Sequence, residues 1–178
     1  MAEAFSNKLT RAAGIVSTSS SGAVGILTNL ITGISTVDVA VNDLVDNSQF
    51  LIGTKVSSVG ASQIVCDRDS TNTAAVTDQS VKFLGPTTAY TSTGTKSILV
   101  GGTFANNTGN SVNLTVQVFD NSASSEVGLA AKIPVPHGSS FVISDTGKTV
   151  LESSDEIRIY CDTANAIDAT LSVLTGVN

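Results

Sequence analysis

From Ser111 to Asp120 the chain reads SVNLTVQVFD, in which Val112, Leu114, Val116 and Val118 alternate with Asn113, Thr115 and Gln117. That period of two predicts a strand with one packed face and one wet face. Similar short runs stand at 98–104, 128–133, 140–143, 149–152, 156–161 and 166–174, separated by clusters of Asn, Gly, Pro, Ser and Asp. About seven strands with turns roughly every 8 to 12 residues predict an antiparallel β-sandwich over 97–178. Residues 23–85 hold less regular runs (ITGISTVDVAV, TKVSSVG, QIVCD, SVKFLG) and predict a second small β domain, an irregular roll or barrel. No stretch sustains a helical period, so the fold class is all-β. Gly85 to Thr95, GPTTAYTSTGT, is rich in Thr and Gly around Pro86 and predicts a linker over 86–96. The first 22 residues end in STSSSG and predict an extended arm, with Phe5, Leu9, Arg11, Ile15 and Val16 as candidate assembly contacts. A disordered end is the alternative for that arm.

Composition narrows the function classes. Charged residues make up 13% of the chain, against about 25% in average soluble proteins, and Ser, Thr, Asn and Gly take their place. Nine basic and fifteen acidic side chains give a net charge of -6 with no basic cluster, which speaks against a nucleic-acid partner. The start MAEAFSNKLTR lacks the unbroken apolar run of a signal peptide. GAVGILTNLITGI is too short and too often interrupted to span a bilayer, so no membrane partner is expected. Cys66 and Cys161 fall on inward positions of expected strands and read as buried thiols, with a disulfide between them as the minor alternative.

Several stretches invite a chemical reading and fall short of it. FVISDTGKTVLE, from Phe141 to Glu152, holds the Gly-Lys-Thr that closes a phosphate-binding loop, but Val142 stands where the first glycine of that loop is needed. It also holds one Asp-Thr-Gly, whereas an aspartic protease needs two close carboxylates sharing a proton. Between two alternating runs, Asp-Thr-Gly predicts a hairpin turn. His137, the one histidine, has no nucleophile motif to serve. DRDSTN at Asp67 begins like a calcium loop but lacks its glycine and closing Glu, and Asp43 with Asp46 is a weaker pair. Asn106 and Asn113 stand in N-x-T patterns that matter only in a secretory compartment. These departures predict no catalytic residue, no metal and no cofactor.

AFSNKLTR, GISTVDVAVNDLVDNSQFLIGTKVSSVG and DRDSTNTAAVTDQSVKFLG, with the later AAKIPVPHGSSFVI and KTVLESSDEIRIYCDTANAIDATLSVL, resemble structural proteins of tailed bacteriophages, particularly contractile-tailed phages of cyanobacteria and the sea. The first three are similar to an amino-terminal virion domain and the last two to a small phage β-sandwich. Together they cover most of the chain. The resemblance implies a non-enzymatic virion protein, assembled in the host bacterial cytoplasm, that meets other virion proteins and copies of itself. A capsid decoration or cement role, with the major capsid protein as partner, is the leading expectation. A neck, tail or fibre-attachment role is the alternative. A carbohydrate-binding adhesin is more remote, because the chain has no Trp and two Tyr from which to build a sugar platform.

Overall fold

The computed structural model describes residues 3–94, 96–144 and 148–177. The described residues form fifteen strands in antiparallel sheets, with no helix. The chain divides into two compact units. Unit 1 comprises the residues up to Gly14 together with those from Thr87 onward, and unit 2 is Ile15–Pro86. Unit 2 is therefore an insertion between the first strand of unit 1 and the rest of it.

Unit 1 holds β1 (Ala4–Ala13), β8 (Thr87–Thr91), β9 (Lys96–Asn106), β10 (Val112–Asp120), β11 (Ser125–Val135), β12 (Ser140–Ile143), β13 (Thr149–Glu152), β14 (Glu156–Cys161) and β15 (Ile167–Val177). One sheet runs β1-β15-β9-β12, with β13 also on β9, and the other runs β11-β10-β14-β8. The alternation read in the sequence supplies the interior. Leu99, Phe104, Leu171 and Val173 from the first sheet meet Leu114, Val116, Ile157 and Ile159 from the second in one buried cluster. Two sheets facing across a shared apolar layer make unit 1 a β-sandwich.

Unit 2 holds β2 (Ile15–Val24), β3 (Leu30–Thr32), β4 (Leu44–Asp46), β5 (Val56–Val59), β6 (Gln63–Cys66) and β7 (Val76–Gly85), in the order β4-β7-β2-β3-β6-β5. Its core is separate, built from Val24, Ile31, Val45, Phe50, Val56, Ile64, Val81 and Phe83. The two ends of this sheet meet. Leu44 and Lys55 form a bridge, and Asn42 and Val45 bond across to Val56 and Thr54.

Three expectations are corrected. The described residues of the arm expected over 1–22 lie almost wholly in two strands: β1 closes a sheet of unit 1, and β2 is a central strand of unit 2. Its serines mislead because their hydroxyls have backbone partners. Ser17 and Ser21 donate to the carbonyls of Asp38 and Gly33 (2.9 and 3.0 Å), and Ser19 accepts the N–H of Ser35 (3.1 Å). The linker over 86–96 contains β8, whose Tyr90 is buried on Ser97 by a 2.8 Å hydrogen bond. Lastly, the runs flanking Asp-Thr-Gly do not form a hairpin with each other. Both pair antiparallel with β9, β12 along Gly102–Ala105 and β13 along Lys96–Leu99, so they lie end to end as one interrupted edge strand. Alternation on both sides of a turn motif does not tell whether the two runs pair with each other or with a third strand.

Candidate assembly surface

On β1 the apolar side chains point away from the core. Phe5 and Leu9 are 63% and 77% exposed, with Asn7 and Arg11 on the same side. Ser6, Lys8 and Thr10 are half-buried on the other side. There the Lys8 ammonium sits 5.9 Å from the Tyr90 ring centre, and the Thr10 hydroxyl donates to the Ala89 carbonyl (3.3 Å). The inward face of β1 is thus polar and spans toward the second sheet, and its outward face is apolar.

Register extends that outward face across the sheet. Phe5 lies opposite Leu174, Leu174 opposite Ile98, and Ile98 opposite Val150. A second row runs Leu9, Thr170, Thr103 and Val142. Between them Ser172 donates to the Asn7 side-chain oxygen (3.1 Å). Phe5, Leu9, Val142 and Val150 are all exposed, and Ile98 and Leu174 are half-buried. An apolar band crossing four strands, with nothing of its own sheet over it, has the chemistry of a surface that meets another protein.

The five candidate contacts divide between the units. Phe5, Leu9 and Arg11 stand on β1. Ile15, which is exposed, and Val16, which is half-buried, begin β2 and pair with Gly85 and Leu84. The sequence reading missed Val142, Val150, Ile98 and Leu174 as their companions. Only the pairing of β12, β13 and β15 around β9 brings them into line with Phe5 and Leu9.

The outer face of the second sheet differs in character. The Arg158 guanidinium reaches the Glu126 carboxylate at 2.5 Å and Glu156 at 2.7 Å, and it stacks 3.7 Å from the Phe119 ring centre. Tyr160, fully buried, donates to the other Glu126 oxygen (3.0 Å). Burial pushes the Tyr160 phenol above its ordinary range, and the Glu126 charge adds to the shift. Burial works against the Arg158 charge, but bonds to Glu156 and Glu126 outweigh it and hold the guanidinium more firmly protonated. The cluster clasps β10, β11 and β14 together, with its cation engaged on both sides.

The other sequence candidates are scattered. Asp145, Thr146 and Gly147 lie outside the described residues, and Lys148 is exposed. His137 is an exposed loop residue whose Nδ1 lies 2.6 Å from the Thr108 carbonyl. Asp67 accepts the Lys55 N–H (2.8 Å), and Ser70 and Asn72 donate to the Gly25 carbonyl, so DRDSTN is tied to the chain around Lys55 and Gly25. Asp43 is buried and accepts the Ala40 N–H (2.8 Å). Burial raises its carboxyl above the ordinary range, partly offset by that bond. Among the described residues no group of three or more His, Cys, Asp and Glu could hold a metal ion. Asn106 is buried and donates to the Asn110 and Val135 carbonyls, and Asn113 donates to Asp162. Cys66 and Cys161 are buried in the separate cores of units 2 and 1, and neither forms a disulfide.

No family model, no curated protein and no solved structure matches this chain.

Proposed function

We propose that the chain is a non-enzymatic structural protein of a tailed-phage particle, seated on the capsid exterior as a decoration or cement protein. The observation that carries the assembly part of this reading is the apolar band from Phe5 through Leu174 and Ile98 to Val150, on a surface where charged side chains are otherwise sparse. The particle and the site on it come from the resemblance of the sequence to phage structural proteins. The mechanism is mechanical. A rigid sandwich laid across a joint between capsid subunits adds buried area, and symmetry repeats that contact over the shell. A mildly acidic surface suits the outside of the particle, since an acidic lining would repel packaged DNA.

Quantitative mass spectrometry of purified particles, counting this chain against the major capsid protein, tests the reading. Copies on the order of the capsid protein itself support decoration. A few to a few dozen copies move the chain to the neck, tail or fibres. Its absence from particles ends the virion reading.

A further inference from the structure

An edge strand exposes a row of backbone N–H and C=O groups, and proteins that stay monomeric interrupt, shorten or cover such edges. Among the described strands most edges are protected in these ways. β12 and β13 have four residues each. β8 has five and carries a register shift against β14. β11 is long but carries Pro134 and two register shifts against β10. The β4 and β5 ends of the unit 2 sheet meet each other. β1 has none of these protections over most of its length. From Ala4 to Thr10 its register with β15 is unbroken, and the shift comes only between Thr10 and Ala13.

Within the unbroken register the outward residues of this edge are Phe5, Asn7 and Leu9, flanked by Glu3 just before β1 and by Arg11 where the register shifts, all exposed. The order is self-complementary. If a second β1 pairs antiparallel about Asn7, each Glu3 faces an Arg11, each Phe5 faces a Leu9, and the two Asn7 residues meet at the centre. Opposite charges and large apolar side chains facing each other across strands are the pairs that stabilise an antiparallel ladder. Any other register loses the match. Moving the centre by one residue in the chain puts Phe5 opposite Arg11 or Glu3 opposite Leu9.

We propose that the partner of the β1 edge is a second copy of this chain, joined through a two-fold axis at Asn7 so that the two five-stranded sheets become one continuous sheet. The apolar bands of the two copies then run together across the joint. This names a partner within the assembly reading and rests on it. The solution dimer and the copy number in particles are separate measurements, so either can fail without the other.

Sedimentation velocity over a concentration series of the intact chain is the test. The expected mass rises from 18.1 kDa toward twice that value. Leu9→Lys sets an ammonium against Phe5 of the partner, and Glu3→Arg sets two guanidinium groups face to face at both ends of the joint. Each is expected to weaken the dimer about tenfold or more. The double variant Glu3→Arg with Arg11→Glu restores opposite charges and is expected to return affinity to near the native value. Both positions are exposed, so unchanged thermal melting separates lost pairing from lost folding. A chain that stays at 18.1 kDa at the highest concentration overturns the proposal. So does a dimer indifferent to Leu9→Lys and Glu3→Arg, or one that the charge swap fails to rescue.

Discussion

At Gly14, where the chain leaves unit 1, φ is +125° and an added Cβ would stand 2.4 Å from the Thr163 carbonyl oxygen. Neither the backbone angle nor the space admits a side chain. The residue is also held on both sides, its carbonyl accepting the Asn165 N–H (3.0 Å) and its own N–H donating to the Thr87 hydroxyl (3.2 Å). Gly14→Ala is therefore expected to destabilise unit 1 by about 3 kcal/mol or more, measured by denaturant unfolding. Thiol chemistry offers a second check. Burial, with a smaller contribution from the Asp67 charge, pushes the Cys66 thiol up to about 12, and Cys161 is sealed in the other core. Labelling at pH 8 should modify neither cysteine in the folded chain and both after denaturation. Rapid labelling of one would show a core that opens. Asp43 gives a pH signature. Its folded carboxyl titrates above the unfolded value of about 3.9, so the folded chain binds more protons between those two points. The stabilising contribution is full below the unfolded value and is lost as pH rises through the folded one. Comparing the native chain with Asp43→Asn, acidification from pH 7 toward 4 should shift the stability difference in favour of the native chain. A difference that stays flat would mean the carboxyl is not perturbed.

Elements with regular alternation were legible in the sequence. The runs expected at 140–143, 149–152 and 156–161 are β12, β13 and β14 residue for residue, and Val112 to Val118 lie within β10. Elements whose polarity is inverted or uniform were not. β1 carries Phe5 and Leu9 outward, so they read as docking contacts on a tether and not as one face of a strand. The serines of β2 pack through hydroxyl bonds to Gly33, Ser35 and Asp38, which no periodicity reveals. Part of the candidate surface was legible for the same reason. Phe5, Leu9 and Arg11 stand out as apolar or charged residues in a polar segment, but Val142 and Val150 join them only through pairings made far along the chain. The Glu126, Arg158 and Tyr160 cluster was invisible because its members are 32 and 34 residues apart. It should matter to stability. The Glu126 side chain is 3% exposed, so Arg158→Ala leaves a nearly buried carboxylate without its guanidinium and uncovers Phe119. A loss on the order of 3 kcal/mol is expected in chemical denaturation. Recovery of most of it by Glu126→Gln in the Arg158→Ala background would locate the cost in the stranded charge.

At the scale of the whole molecule, the two-domain expectation placed one boundary, near Pro86, and missed the other at Gly14, because a ten-residue strand before an inserted unit carries no turn or composition signal of its own. Each unit has its own core and its ends are adjacent: Ile15 pairs with Gly85 in unit 2, and the Gly14 N–H bonds to Thr87 in unit 1. Residues 15–86 expressed alone are therefore expected to melt cooperatively with a strand-rich circular dichroism spectrum. Unit 1 with that segment replaced by a short Gly-Ser linker should do the same. A featureless spectrum from either piece would mean that it depends on the other. The closure of unit 1 has a further consequence in time. Ser172 bonds to Asn7 across 165 positions of sequence, and among the described residues β1 has β15 as its one sheet partner. On the ribosome β1 is made before the whole of unit 2 and waits for β15, while every strand of the inserted unit is already present to fold. During that wait a sticky ten-residue ribbon is available to any nascent copy on the same message. Slowing elongation should therefore raise the yield of entangled chains, and speeding it should lower it.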